Sequence, residues 1–263
     1  MTVITSTDNR IVKLAASLSE KKYRDREGLY IVEGPNLVRE LSANGKARFI
    51  FIRAESASEE AMEIAERADE SGLAVYKVND SVFSKVTQTE TPQGILAVFE
   101  KPSRSREDFF KTAGDKNILV VDRVQDPGNV GTLLRTCEAA GFAGAMIIKG
   151  SGDPFSPKAV RASAGSSARL PLIFAESIND GAALLKKMGK RLIATDMKGK
   201  AFWDADLAKN CALTVSNEGN GASGELLQLA DEIISIPMTG QVESLNAAIA
   251  CGIIMFESRR QNL

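Results

Sequence analysis

Apolar and polar positions alternate along this chain in two rounds separated by a polar stretch. In the first round, "NRIVKLAASLSEKKYRDREG" reads as one helix closed by Gly28, and "LYIVEG" as a short strand. "PNLVRELSANG" predicts a helix opened by Pro35 and closed near Gly45. "RFIFIRA" is a strand, and "SEEAMEIAERADESG" a helix with acids in its first turn, where the helix dipole favours them. "LAVYKVN" and "GILAVFE" complete the round as strands. Residues 101–115 lose the periodicity at "KPSRSRED" and read as a linker.

The second round restarts with the strand "NILVVD" and a helix from about Gly128 to Ala140, with Gly141 suited to the left-handed position after it. "AMIIKG" is a strand, and Ser156 caps a helix over "SPKAVRASAGSSA" with Pro157 in its first turn. "PLIFA" and "RLIATD" are strands around the helix "GAALLKKMG". "CALTVS" is a strand, "GELLQLADE" a helix, "IISIPM" a strand and "ESLNAAIACGIIMFESRRQ" the closing helix. "ILVV" and "ALTV" are apolar on both faces, which predicts an α/β fold with a parallel sheet between helices. Ligands of such sheets bind beyond the carboxyl ends of the strands. That singles out "DRVQDPGNVG", "SNEGNG" and "PMTGQVESLN".

Length and composition narrow the field. The 263 residues allow two domains, divided as 1–100, a linker 101–115, and 116–263. There is no histidine, which excludes Ser-His-Asp and Cys-His machinery and every histidine-containing metal site; no metal is expected. Cys137, Cys211 and Cys251 are far apart and odd in number, which favours a reducing compartment. "MTVITSTDNR" lacks the order of a signal peptide, and no stretch reaches about 18 apolar residues, so the expectation is a cytoplasmic chain with no membrane span. Net charge is −1, so any nucleic-acid surface must be local. One candidate is the run from Arg10 to Arg26, whose six cations (Arg10, Lys13, Lys21, Lys22, Arg24, Arg26) against Glu20 and Asp25 leave +4. It reads as an RNA-backbone surface or a solvated helix face. Arg104, Arg106 and Arg161 could extend it, whereas Tyr23 and Tyr30 read as core before they read as base-stacking rings.

Each of the three loops, taken alone, is also a plain capped turn. Asp126 can cap the helix after "DRVQD", but Gly128 and Gly131 each give up about 1 kcal/mol of helix stability against alanine, and Gly131, four residues before Arg135, leaves room beside it. "SNEGNG" supplies residues that tolerate positive φ. In "IPMTGQVESLN", Pro237 stops the strand, and Ser244 and Asn246 open a helix with free N–H groups. No GxGxxG or GxxxxGK[ST] follows any strand, which argues against an oxidoreductase on an ordinary dinucleotide-binding sheet.

Together the three resemble the SpoU/TrmH class of the SPOUT RNA methyltransferases. The resemblance rests on Asn129, Gly131 and Arg135; on Glu218, Gly219 and Gly221; and on Ile236, Pro237, Met238, Gly240, Ser244, Leu245 and Asn246. It covers residues 118 to about 258; the first hundred residues more loosely resemble a smaller RNA-binding domain of ribosomal-protein type. The resemblance implies a C-terminal trefoil knot, a homodimer, and methyl transfer from S-adenosylmethionine to a ribose 2′-hydroxyl. The RNA it implies is ribosomal (large subunit) before tRNA, and a non-catalytic RNA-binding protein on the same fold is the further alternative. By resemblance the cofactor would be held by Thr195, Ser216, Asn217, Glu218, Gly219, Ile236, Met238, Ser244, Leu245 and Asn246. Arg135, Asn129, Ser244 and Asn246 would carry the chemistry, and Lys13, Lys21, Lys22, Arg24, Arg26 and Arg161 the RNA. An arginine is effectively always protonated, so Arg135 is expected to bind phosphate and stabilise an oxyanion rather than take a proton.

Overall fold

The computed structural model describes every residue except Gly45 and Glu243, and of Asn44 the backbone alone. The chain divides into two compact units. One comprises residues 1–102 with 155–168, and the other 103–154 with 169–263.

The first unit runs β1 (Thr2–Ile4), α1 (Arg10–Ser17), α2 (Lys21–Glu27), β2 (Leu29–Glu33), α3 (Pro35–Asn44), β3 (Ala47–Arg53), α4 (Glu59–Glu70), β4 (Ala74–Val78), α5 (Asp80–Val86) and β5 (Ile95–Glu100). Its strands lie in the order β1-β4-β3-β5-β2, with β5 antiparallel to both neighbours and the rest parallel. Alternation along β3 builds two cores. Phe49 and Phe51 join Val12 of α1 and Phe83 of α5, while Ile50 and Ile52 face the side where α3 and α4 pack. Ser58 caps α4 by accepting from the Ala61 N–H at 3.2 Å. Ser58→Ala should therefore cost about 1 kcal/mol in a denaturant titration of the chain.

The predicted single helix over residues 9–28 is two. The chain breaks at Leu18–Glu20, where Arg24 is 3% exposed and donates to the carbonyls of Leu18 and Ser19, both at 2.7 Å. Gly28 closes α2 in the left-handed region (φ 65°), as its position predicts. The predicted closure of α3 at Gly45 lies outside the described residues.

The second unit runs α6 (Arg106–Ala113), β6 (Ile118–Asp122), α7 (Pro127–Ala139) and β7 (Ala145–Ile148). The chain then visits the first unit as α8 (Pro157–Ala162), where Phe155 packs its ring 5.3 Å from that of Tyr30. It continues through α9 (Ser166–Arg169), β8 (Leu172–Ala175), α10 (Ile178–Lys187), β9 (Arg191–Ala201), β10 (Cys211–Ser216), α11 (Gly224–Leu229), β11 (Glu232–Ser235) and α12 (Ala247–Arg260). The sheet order is β11-β9-β10-β6-β7-β8, parallel throughout. α7 and α12 cover one face, around Leu119, Val121, Leu133 and Ile254; α6, α10 and α11 cover the other, around Ile118, Val120, Leu185 and Leu226.

The stretch read as a linker, 101–115, holds α6. Ser105 caps it, and Phe109 is buried in the second unit's core. Its polar first turn, Arg106 to Asp108, hides the periodicity because only its last turns meet the sheet. Among the described residues no helix is long and apolar enough to cross a membrane, and no cluster of acidic or cysteine side chains could hold a metal.

Candidate functional site

β6 and β10 are neighbours at the centre of the second sheet, and Asp122 lies opposite Ser216 at their carboxyl ends. All six strands run the same way, so the loops after β6, β10 and β11 leave from one edge. This is the edge the sequence singles out.

The first loop opens on Arg123, whose backbone is left-handed (φ 57°) and whose N–H donates to Ser151 Oγ at 2.9 Å. Its guanidinium grips the buried Asp122 carboxylate through two bonds of 3.0 and 2.8 Å. Asp126 then caps α7, accepting from the Asn129 N–H at 3.0 Å. The second loop is organised by Asn217. Its amide donates to the Arg123 carbonyl at 3.0 Å, and its side-chain oxygen accepts from the N–H groups of Gly219 (3.0 Å) and Asn220 (2.9 Å). Gly221 sits at φ 64°, which lets the loop turn back to pair with Asn217.

One chain of side chains joins all three loops. Asn246 Nδ2 donates to Asn129 Oδ1 at 3.1 Å, and Asn129 Nδ2 donates to Glu218 Oε1 at 2.9 Å. Asn246 Oδ1 accepts from Ala248 N at 2.9 Å and Ile249 N at 3.3 Å, so it caps α12. The direction is forced: a carboxylate only accepts, so Asn129 must present its NH₂ to Glu218 and its oxygen to Asn246. Glu218 Oε2 also accepts from Gln125 N at 3.3 Å. Burial pushes the Glu218 carboxyl up, but the Asn129 amide and the backbone N–H groups of residues 218, 125 and 126 outweigh it and hold the pKa below its ordinary value.

The sequence-predicted residues fall into distinct environments. Asn129, Glu218 and Asn246 are linked directly. Asn217 and Gly219 form the loop that carries Glu218, and Ser216, 7% exposed, has a buried hydroxyl with no hydrogen-bond partner among the described residues. Thr195 Oγ1 donates to the Thr214 carbonyl at 3.2 Å, at the point where β9 leaves its pairing with β11. Ile236 packs against the α7/α12 core, Met238 is half-buried, and Leu245 is exposed. Ser244 is exposed and precedes the cap; Asn246, not Ser244, opens the closing helix. Arg135 lies six residues beyond Asn129 in α7, about 9 Å along the axis. It is exposed and makes no hydrogen bond or ion pair with the described residues.

In the first unit, Lys13, Lys21, Lys22 and Arg26 are exposed and form surface pairs with Asp8, Asp25, Glu20 and Glu27. Such pairs are weak and exchangeable. Lys22 and Arg26 also flank the Tyr23 ring. Arg24 is a correction. Its guanidinium is buried on the carbonyls that end α1, so it cannot reach a phosphate. Tyr30 is core, 2% exposed, and Arg161 is exposed on α8.

Comparison with known proteins bears directly on this edge. The SpoU rRNA Methylase family model matches residues 116–256. The chain belongs to the SpoU rRNA methylase family. A model for an MRM3-like substrate binding domain matches residues 9–97. The 23S rRNA (guanosine(2553)-2'-O)-methyltransferase RlmP of Bacillus subtilis is 33% identical over 98% of this chain and 100% of its own length. A crystal structure of an AdoMet-bound rRNA methyltransferase from Sinorhizobium meliloti matches with a TM-score of 0.86 at 32% identity, covering 100% of this chain and 98% of that one. The SpoU methyltransferase AviRb of Streptomyces viridochromogenes, in complex with AdoMet, matches with a TM-score of 0.82 at 26% identity over 96% of this chain and 98% of its own.

Within this SpoU edge, sequence reasoning missed two residues, Asp122 and Arg123. The signal was an acidic residue ending an otherwise apolar strand, followed at once by a cation. Burial of Asp122 under the Arg123 fork sets the exit of the first loop.

Proposed function

We propose that this chain transfers a methyl group from S-adenosylmethionine to a ribose 2′-hydroxyl of large-subunit ribosomal RNA. The observation that carries the reading is the Asn246–Asn129–Glu218 chain, which ties the three family loops into one structure at the carboxyl edge. The residues present fit the cofactor. Ser216 has a buried hydroxyl with no partner among the described residues, and the Glu218–Gly221 loop is exposed beside it. Thr195, Ser216, Asn217, Glu218, Gly219, Ile236, Met238, Ser244, Leu245 and Asn246 would hold it. When bound, S-adenosylmethionine supplies a methyl made electrophilic by its sulfonium, so alignment and stabilisation of the attacking oxygen remain for the protein.

The side chains divide those tasks. Arg135 is exposed and unpaired among the described residues; its guanidinium clamps the phosphate beside the target ribose and stabilises the developing 2′-oxyanion. Asn129, held by Glu218 on one side and Asn246 on the other, aligns the ribose with Ser244. Glu218 takes no proton; it fixes both amides.

The same reading includes a homodimer and a knot. Leu245, Ile249, Ile253 and Phe256 form an apolar stripe, 37–57% exposed, along α12 and its approach. A second copy of the stripe would cover it, and a monomer mass in sedimentation equilibrium at working concentration would remove this part. The trefoil knot of this reading would lie in the connection between β11, at the sheet's edge, and α12, which packs on α7 and β10. The first unit, with its exposed cations on α1 and α2, supplies the RNA-binding domain of ribosomal-protein type. An RNA substrate and three unpaired cysteines fit the cytoplasm.

The test is transfer of labelled methyl to unmodified ribosomal RNA and, in parallel, tRNA. Label should enter ribosomal RNA and render one phosphodiester resistant to alkali, because the methylated 2′-oxygen can no longer attack it. Label in tRNA alone would move the substrate. Cofactor binding without transfer to naked RNA would point to an assembling particle, and neither binding nor transfer would leave a non-catalytic RNA-binding protein.

A further inference from the structure

The chain has one tryptophan, and it is exposed. Trp203 is 52% accessible in a single 3-10 turn, Phe202–Asp204, directly after β9. A tryptophan is among the most costly rings to leave in water, so its setting calls for an explanation.

Trp203 is anchored where β9 ends beside β11. Phe202 packs against the α7/α12 core and meets the Trp203 ring edge-on, with centroids 5.0 Å apart at 68°. β9 leaves its pairing with β11 after Ala194 and resumes it at Lys200, so Thr195 to Gly199 form an excursion from the sheet. At its return the two strands are in close contact. A Cβ on Gly199 would lie 2.5 Å from the Ile234 backbone, and the Ser235 hydroxyl donates to the Gly199 carbonyl at 2.8 Å. Ala201 then pairs with Ser235. Trp203 is thus two residues past Ala201, and Ile236 and Met238, of the third loop, are one and three residues past its partner. Lys198, on the excursion, is exposed and makes no side-chain hydrogen bond or ion pair with the described residues. The other exposed aromatic rings of this unit lie elsewhere: Phe174 on the opposite edge strand β8, and Phe256 in the α12 stripe.

We propose that Trp203 is the stacking platform for an unpaired base of the RNA substrate next to the methylated ribose, with Lys198 taking an adjoining phosphate. The proposal rests on the RNA methyltransferase reading above. Proteins that act on single-stranded RNA hold splayed bases on aromatic faces, and stacking tolerates any base because each has a π-face. An exposed ring two residues past the strand pair that leads into the third loop, with a cation on the adjoining excursion that has no side-chain partner among the described residues, meets that need. Trp203 acts on substrate position and does not touch the reacting oxygen.

Because Trp203 is the only tryptophan, emission excited at the long-wavelength edge, where the three tyrosines absorb little, reports on this ring. The chain should be titrated with an unmodified large-subunit rRNA transcript while methyl transfer is followed in the same samples. The expected result is quenching that saturates together with transfer, and none from S-adenosylmethionine alone. Trp203→Ala should raise the KM for the transcript about tenfold with kcat and cofactor affinity little changed, and Trp203→Phe should recover most of the loss. Transfer with no change in emission overturns the proposal and leaves the methyltransferase reading intact. So does a spectrum that shifts on diluting the protein without RNA, which would mean that a second copy covers the ring. Absence of both transfer and RNA binding in the wild type would overturn the underlying reading, and the proposal with it.

Discussion

Arg135→Ala is expected to lose roughly 10²–10³-fold in kcat, the cost of removing one preorganised donor from a developing oxyanion. Melting and S-adenosylmethionine affinity should stay near wild type. The separation follows from the setting of the side chain. Arg135 is exposed on α7, whose buried face carries Val130, Leu133, Leu134 and Cys137, and it holds no described partner in place. Substitutions at such positions leave stability within about 0.5 kcal/mol. Its guanidinium is therefore free for substrate, and its loss should appear in turnover rather than in folding. Arg135→Lys should recover only part of the rate, because an ammonium lacks the planar fork that meets two phosphate oxygens at once. Single-turnover transfer with saturating cofactor and RNA is the measurement. Near wild-type rates in Arg135→Ala would mean that the 2′-oxygen is stabilised by another group, with Arg123 ruled out by its grip on Asp122.

The second sheet was legible because the runs "ILVV" and "ALTV" of its central strands put apolar side chains on both faces, as a doubly covered parallel sheet requires. β6 and β10 emerge where "ILVV" and "ALTV" predict them, and α7 carries the predicted Asp126 cap and the Gly141 close at φ 81°. The first unit was less legible for identifiable reasons. Lys21 to Glu27 are helix formers, so composition gave no hint that the helix breaks at Leu18; the break exists because Arg24 folds back onto the carbonyls there. A cation run reads as a solvated face, and a guanidinium satisfied by backbone carbonyls has no sequence signature. α5 has seven residues, too few for a periodicity to register, and β1 has three.

At the site, the motif residues were visible but not their wiring. Asn129, Glu218 and Asn246 are separated by 89 and 117 positions in the pairs that bond them. No local pattern links such positions; the strand order does, by setting β6 beside β10. The excursion of β9 after Ala194 was hidden for a similar reason. "RLIATDMKGKA" reads as a strand running into a turn, and only the register against β11 reveals that it leaves and returns.

That wiring makes the charge at residue 129 decisive. Asn129→Asp should lower methyl transfer at least tenfold near neutral pH, with a partial return as the pH falls. The substitution keeps an acceptor for Asn246 but replaces the donor facing Glu218 with a second carboxylate, at a contact that is 2.9 Å in the wild type. Two carboxylates at that distance cannot both ionise, so one pKa of the pair rises above its unfolded value. The native arrangement of the variant is then favoured below the unfolded pKa and is lost as pH rises through the folded one. Wild-type Glu218 behaves oppositely. Its pKa is held down, so its contribution is present above the unfolded value and is lost only as pH falls through the folded one, in acid. The gap between variant and wild type, in melting temperature and in transfer, should therefore widen with rising pH. The α7 N-terminus, which favours a carboxylate at residue 129, reduces the gap without reversing it. The decisive control combines Asn129→Asp with Glu218→Gln. The glutamine NH₂ can then donate to the new carboxylate while its oxygen accepts from Gln125 N, so donors and acceptors match again with a single charge between them. This double variant should regain most of the transfer lost by Asn129→Asp and show a flat pH response. If it does not, Glu218 serves the reaction by some route other than fixing Asn129 and, through it, Asn246.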